Sequence, residues 1–282
     1  MEKTTEVYLS CKDYTVSQKE FQLIWNAEKD ILITHPQPSL EELPSYYKSE
    51  DYISHTDSSK SLFDKAYQSV KKMMLVQKLK LINSFATEEK TILDIGAGTG
   101  DFLQYISKHN WRVSGVEPNE KARNLAKSKN LNLLRDLSSF NNEKFDVITL
   151  WHVLEHIPNL KEQIEQFHHL LKPNGVLVIA VPNFESYDAK YYKEYWAAYD
   201  VPRHLWHFSK KGIKRLFTKY NFVQKSIHPL WFDSFYVSLL SEKYRNKSPN
   251  YFKAFKVGLK SNFKAKTIQN YSSHIYTFQK AK

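Results

Sequence analysis

The residues with the clearest chemical potential are an acid and three glycines, Asp94-x-Gly96-Ala97-Gly98-x-Gly100, with a second acid, Glu117, further along the chain. Glycines at such a turn let the backbone take positive φ and let a flat ligand approach where a Cβ would collide. The spacing limits the ligand. A dinucleotide fingerprint would place its third glycine at position 101, which is Asp101, and a phosphate-cradling loop would end in Gly-Lys-Ser/Thr. Neither pattern is present. A carboxylate at the place of Glu117 can accept from both hydroxyls of a ribose. The combination implies an adenosyl ligand without phosphates. A second group of candidates follows: Trp151-His152 at the end of an apolar run, then Arg203, His204 and His207 in an aromatic-rich stretch. Tryptophan can cover a ligand, histidine can exchange a proton near neutral pH, and an arginine fork can bind an anion. Each also has a structural reading, as packing or as a hydrogen-bonded core histidine.

These residues need elements to hold them. The run 91–95 is apolar and β-branched and predicts a strand, entering the glycine loop and then a helix from Asp101. The same reading gives a strand ending at Glu117, a helix from Asn119, a third strand at 131–134, a fourth at 145–150 and a buried fifth at 176–181. Ser209 reads as the cap of a helix with Ile213, Leu216, Phe217 and Tyr220 on one face. Sixth and seventh strands are expected at 222–227 and 273–278, and a long helix with Val70, Met73, Met74, Leu79 and Ile82 on its apolar face precedes the first strand. Strand and helix alternate, so the sheet should be largely parallel, and ligands of such sheets lie across the carboxyl ends of the strands.

Four ordered segments, LDIGAGTGDFL, GVEPNE, FDVITLWHVLEHI and LKPNGVLVIAVPN, resemble the motifs of the class I S-adenosylmethionine-dependent methyltransferases, over roughly residues 88–228. The resemblance implies an α/β, Rossmann-like seven-stranded sheet with helices on both faces, strand order 3-2-1-4-5-7-6 and the last strand antiparallel. It implies S-adenosyl-L-methionine as cofactor, leaving as S-adenosyl-L-homocysteine. Asp94, Gly96, Ala97, Gly98, Gly100, Glu117 and Pro118 would form the cofactor loop and ribose site. Asp136 and Leu137 would lie at the adenine, with a turn cap as the other reading of Asp136. Leu150, Trp151 and His152 would close the fourth-strand side, and Tyr47 would fold over the methionine end or serve only as packing. Glu155-His156 looks like the family's LEH signature and is read as structural. The stretch DVPRHLWHFS resembles one in bacterial methyltransferases related to quinone and cell-surface-sugar enzymes. It implies an anion-binding role for Arg203 and a base in His204 or, less directly, His207, so the catalytic candidates are His152, His204 and Arg203. Amino-methyltransferases of adenine or glutamine amides carry Asp/Asn-Pro-Pro-Tyr/Phe where this chain has Leu150-Trp-His-Val, which argues against such acceptors. A small or lipid-linked acceptor, a sugar hydroxyl or a phenolic ring, is the expectation. The rivals are an RNA-directed enzyme and a non-catalytic cofactor-binding regulator.

Composition sets the rest. At 282 residues the chain can hold one large domain or a domain with appendages. The division expected is an N-terminal extension over 1–60 and a methyltransferase domain over 61–282, carrying an aromatic lid at 183–207 and a basic helical insertion at 230–266. The lid has simple packing as its alternative. Of the net charge of +11, most sits in the last 42 residues, where ten Lys or Arg face one acid, Glu242. Interleaved aromatics there make nucleic acid or an anionic surface conceivable beside a plain solvated face. The lone Cys11 excludes an internal disulfide framework and any cysteine-rich zinc site. In similar proteins the N-terminal region often looks like a small zinc ribbon, so here it would be a degenerate, metal-free one, and no metal is expected. The polar N-terminus and the lack of an 18-residue apolar run imply a cytoplasmic protein without a transmembrane segment.

Overall fold

A computed structural model of the chain describes residues 3–47, 62–140 and 143–281. The N-terminal strands β1 (Lys3–Lys12), β2 (Glu20–Asn26) and β3 (Ile31–His35) form an antiparallel meander. Helix α1 (Leu62–Asn83) leads into β4 (Thr91–Ile95), the glycine loop and α2 (Asp101–Ser107). Then come β5 (Arg112–Val116), α3 (Glu120–Lys127), β6 (Phe145–Trp151), α4 (Leu160–Leu170) and β7 (Leu171–Pro182). The chain continues through α5 (Tyr187–Tyr192), β8 (Trp206–Phe208), α6 (Lys210–Thr218) and β9 (Phe222–Pro229). Helices α7 (Asp233–Asn246) and α8 (Tyr251–Ile268) precede the last strand, β10 (Ser273–Lys280).

The central sheet has six strands in the order β5-β4-β6-β7-β10-β9, with β5, β4, β6 and β7 parallel and β10 antiparallel to both of its neighbours. This is the expected order and the expected antiparallel return. The third strand is the exception. Residues 131–134 make a single bridge, Val116 to Leu134. The Leu131 amide is committed to the Ala126 carbonyl at the end of α3, and Asp136 turns the chain into a 3-10 turn at once. Only one residue of the run is left to pair.

The sheet is covered on both faces. One face carries Ile148, Leu150, Ile164, Phe167, Ile213, Phe217 and Phe278, the other Ile92, Val147, Phe102, Ile106 and Ile82, all nearly inaccessible. Burying each such side chain contributes roughly 1.5–3 kcal/mol. Ser209 caps α6 as read from the sequence, accepting from the Gly212 amide at 2.9 Å while its hydroxyl donates to the Asp30 carbonyl at 2.7 Å.

The boundary expected at residue 60 lies outside the described residues, but the two parts it would separate share a layer. Strand β8 pairs with β3, Ile31 opposite Phe208 and Ile33 opposite Trp206, so residues after β7 complete the N-terminal sheet. Beneath that sheet, Cys11, Phe21 and Leu23 pack with Tyr192, Trp196 and Tyr199 in one cluster. The segment expected as an aromatic lid is thus largely core: Trp196 is 2% exposed and its indole donates to Asp188 at 2.7 Å. Packing, the alternative reading, describes these rings. No helix among the described residues is long and apolar enough to cross a membrane.

Candidate active site

The carboxyl ends of β4, β5 and β6 meet at the glycine loop. Gly96, Gly98 and Gly100 all have positive φ, at 69°, 55° and 77°. Two of the three are closed in by packing: a Cβ on Gly96 would stand 2.5 Å from a Val153 methyl, and one on Gly100 2.6 Å from Leu131. Gly98 differs, because a Cβ there would meet nothing within 4 Å. Its amide instead donates to Glu117 Oε2 at 2.9 Å, while Glu117 Oε1 accepts from the Asn119 amide at 2.9 Å. Each of these oxygens keeps a lone pair for a further donor. The loop therefore presents open space and a buried carboxylate, while the ammonium beside it, Lys129, is spent on the Thr99 carbonyl and on Asp101, a set that suits a ribose diol and does not suit a pyrophosphate.

Asp94 lies under this loop. It is buried and accepts from the Thr149 hydroxyl at 2.5 Å. Burial raises its carboxyl to about 7, against the opposing pull of the Thr149 bond and of the Lys78 ammonium. Lys78 comes from α1. Its ammonium sits 4.0 Å from the ring centre of Trp151 and 5.4 Å from that of Phe102. Burial lowers it to about 8, with Asp94 and Asp233 working the other way. Trp151 is held edge-on to Phe102, and its indole N–H is buried without a hydrogen-bond partner.

His152 follows with a left-handed backbone, φ 57°. Its Nε2 is 3.1 Å from Asp233 Oδ2 and its Nδ1 3.5 Å from Glu155 Oε1, with the side chain 40% exposed. Partial burial disfavours the imidazolium, but Asp233 and Glu155 outweigh it and raise the pKa to about 10. His152 is thus a cation at neutral pH, where it can donate a hydrogen bond but cannot act as the near-neutral proton acceptor its residue type implies.

Beyond it lies a second histidine group. Glu155 is 1% exposed, and neither carboxylate oxygen has a hydrogen-bond partner. Burial raises its pKa but the neighbouring His152, His204 and His156 lower it further, leaving the group ionised. His156 Nδ1 donates to the Arg203 carbonyl at 3.1 Å and lies 3.0 Å from the Tyr47 hydroxyl. Burial, with His204 nearby, lowers its pKa to about 4. Its Nε2 is then an acceptor. His204 donates from Nδ1 to the Ala198 carbonyl at 2.9 Å, and its Nε2 is 3.9 Å from Asp200. Donor atoms of Glu155, His156 and His204 lie within 4.8 Å of one another, the one described His/Cys/Asp/Glu group with spacing near that of a metal set.

Several sequence candidates take other positions. The Arg203 fork is committed to Asp200, with Nε 2.9 Å from Oδ2 and Nη2 on Oδ1, and Nη1 reaches the Tyr46 carbonyl. A buried arginine paired in this way is not a free anion receptor. His207 donates from Nε2 to Thr34 Oγ1 at 3.0 Å, since that hydroxyl gives its own proton to the His204 carbonyl. Burial holds it neutral, well below the usual range. Asp136 is exposed and accepts from the Ser138 amide and hydroxyl, the turn-cap reading. Leu150 is sealed in the core and Leu137 nearly so, while Pro118 is exposed and its carbonyl accepts from Arg123. Tyr47 stands against His156. Lys78, Thr149 and Asp233 carry no sequence signal for the site: one is a lysine inside a long helix, one a threonine inside a strand, one an acid at a helix start. A surface depression of about 470 Å³ between Glu165, His168 and Tyr220 lies at the amino ends of the strands, away from this chemistry.

Sheet order, glycine loop and buried acid define a class I methyltransferase architecture. The profile of the "Methyltransferase domain" family matches residues 72–226, more than half of the chain, and the chain belongs to that family. The ubiquinone biosynthesis O-methyltransferase of Histophilus somni is 36% identical over 109 residues, covering 34% of this chain and 46% of the relative. The chain spans about half the length of the curated relatives it matches. Among solved structures, a cyclopropane synthase from Mycobacterium tuberculosis superposes with TM-score 0.56 at 16% identity, over 88% of this chain and all of its own. The magnesium protoporphyrin IX methyltransferase of Synechocystis, solved with its S-adenosylmethionine, gives 0.54 at 12% identity over 87% of this chain and all of its own. These two share the fold.

Proposed function

We propose that the chain moves the methyl group of S-adenosylmethionine to a hydroxyl oxygen of a small or lipid-linked acceptor, a phenolic ring or a sugar. The observation that carries this is the open face of Gly98 against the Glu117 carboxylate, with buried Glu155 paired to the His152 cation and the acceptor nitrogen of His156 nearby. The O-methyltransferase relatives and the want of an Asp/Asn-Pro-Pro-Tyr/Phe motif support the oxygen over a planar amide.

When bound, S-adenosylmethionine supplies a methyl group on a sulfonium whose leaving group is built in. The protein's work is placement. Glu117 would accept the ribose hydroxyls, the Gly98 backbone would let the adenosyl group lie close, and Trp151 would wall the site. Positioning of this kind supplies roughly 7–11 kcal/mol in favourable cases. A hydroxyl acceptor must also lose its proton. The neutral His156 presents Nε2 as an acceptor for it, a weak base at a pKa of about 4, so the rate rests mainly on placement. The cationic His152 would favour an acceptor oxygen as its charge develops.

Calorimetry with S-adenosylhomocysteine should show a single site that Glu117→Ala weakens by more than about tenfold, as loss of charged hydrogen bonds would. Transfer of labelled methyl should then be found within a panel of catechols, phenols and sugar hydroxyls. Absence of binding would overturn the reading. Intact binding with no transfer to any acceptor would mean a non-catalytic binder instead.

A further inference from the structure

Helix α8 is built inside out. Its buried residues are small: Ala254, Val257, Gly258, Ser261, Asn262 and Ala265. A Cβ on Gly258 would stand 2.8 Å from Phe235, so the inward face is fitted closely to α7. The outward face carries the large apolar side chains. Phe252, Phe255, Leu259 and Phe263 are 69%, 58%, 53% and 71% exposed. Their spacing, i, i+3, i+7 and i+11, puts them in one stripe along the 18-residue helix. An ordinary surface helix buries such a stripe.

Charge accompanies the stripe. Lys253, Lys256, Lys260, Lys264 and Lys266 lie on the same helix, which has no Asp or Glu and no Arg. Lys256 Nζ rests 4.3 Å from the Phe252 ring centre. Long lysine stems beside exposed phenylalanine and leucine are the pattern of a helix lying in a lipid interface, with rings below the headgroups and ammonium groups among them. RNA recognition favours arginine forks and stacking rings, and gives no role to Leu259.

We propose that the outer face of α8 docks on an anionic lipid bilayer. The helix rests on α7, whose first residue, Asp233, holds His152, so the docking face stands one helix away from the site. The proposal does not depend on which acceptor is methylated, because vesicle binding is read without any methyl transfer.

The test is flotation of the full chain with vesicles of phosphatidylcholine alone and of phosphatidylcholine mixed with phosphatidylglycerol. The chain should float with the mixed vesicles only, and less so as salt rises. Leu259→Ser with Phe263→Ser should lower the partition at least about tenfold. Lys256→Gln with Lys260→Gln should lower it about fivefold per charge. Affinity for S-adenosylhomocysteine and circular dichroism should be unchanged in both, since none of the four is among the buried residues of the inner face and Lys260 meets only the half-buried Tyr187 ring, at 5.4 Å. Three outcomes would overturn the proposal. One is equal flotation of wild type and variants, or none at all. Another is a concentration-dependent dimer, dissolved by the apolar variant, without vesicle binding. The last is single-stranded RNA binding, lost in the lysine variant, without vesicle binding.

Discussion

Three glycines at alternate positions of one loop do different work, and substitution should separate them. All have positive φ, so an alanine at any of them costs about 1 kcal/mol in backbone conformation alone. Gly96→Ala adds a clash with Val153, so its main effect should be a lowered thermal midpoint. Gly98→Ala adds no clash within the protein, but its methyl enters the space assigned to the adenosyl group. It should fold nearly as well as wild type and lose more than about tenfold in S-adenosylhomocysteine affinity, or about 1.4 kcal/mol. Equal affinities for wild type and Gly98→Ala would remove Gly98 from the site. The residue pattern alone gave the loop and its acid. It gave no means to tell a glycine needed for packing from one needed for access, because Val153 and Leu131 are distant in sequence and near only in the fold.

At the scale of elements, the attachment of the small sheet to the large one rests on Arg215 of α6. Its Nε and Nη2 donate to both oxygens of Asp30 at 2.7 and 2.8 Å, and Nη1 reaches Glu28 at 2.7 Å. Asp30 is almost inaccessible and also takes a bond from Asn26. Burial raises its carboxyl, but the Arg215 and Asn26 bonds more than offset this and hold it below the usual range. Arg215→Ala would leave the carboxylate without its cation. A loss on the order of 2–3 kcal/mol is expected in urea unfolding, less than for a fully sealed pair because Arg215 is 31% exposed. A loss under about 0.5 kcal/mol would show that the Asn26 bond and the charge of Lys211 suffice for Asp30. Most elements were legible before the fold was known, because β-branched runs and the Ser209 cap act over a few residues. Strand 131–134 was not, since its pairing competes with the end of α3 for the Leu131 amide. The partnership of β8 with β3 was not either, because three residues carry no periodicity and the pairing spans more than 170 positions.

For the molecule as a whole, buried histidines set the acid limit. His156 and His274 are lowered to about 4 and about 3 by burial, and His207 well below its ordinary value. Each has a folded value under the unfolded one near 6.5, so its contribution is fully present above about 6.5 and is lost as pH falls toward about 4 and below. His152, raised to about 10, loses its contribution only above about 6.5 and has no part in this window, whereas Asp94, raised to about 7, gains as pH falls and offsets part of the histidine loss. The thermal midpoint should therefore drop steadily on acidification through this window, and His274→Leu should make the drop shallower. A midpoint that is flat or rises would show that these rings are reached by water in the native state. The basic excess near the C-terminus was visible in composition, yet its meaning depends on which way each side chain of α8 points. Only the packing of α7 against Gly258 decides that.

The two faces of α8 also bear on how such an enzyme can diverge. Inner residues are constrained by fit, and a single added methyl at Gly258 meets Phe235. The large outer side chains are more than half exposed, even Phe255, which stacks on Phe235. A lineage could therefore exchange phenylalanine for serine, or lysine for glutamate, along that stripe and change where in the cell the enzyme resides, while its donor loop and its histidines pass unaltered from parent to descendant.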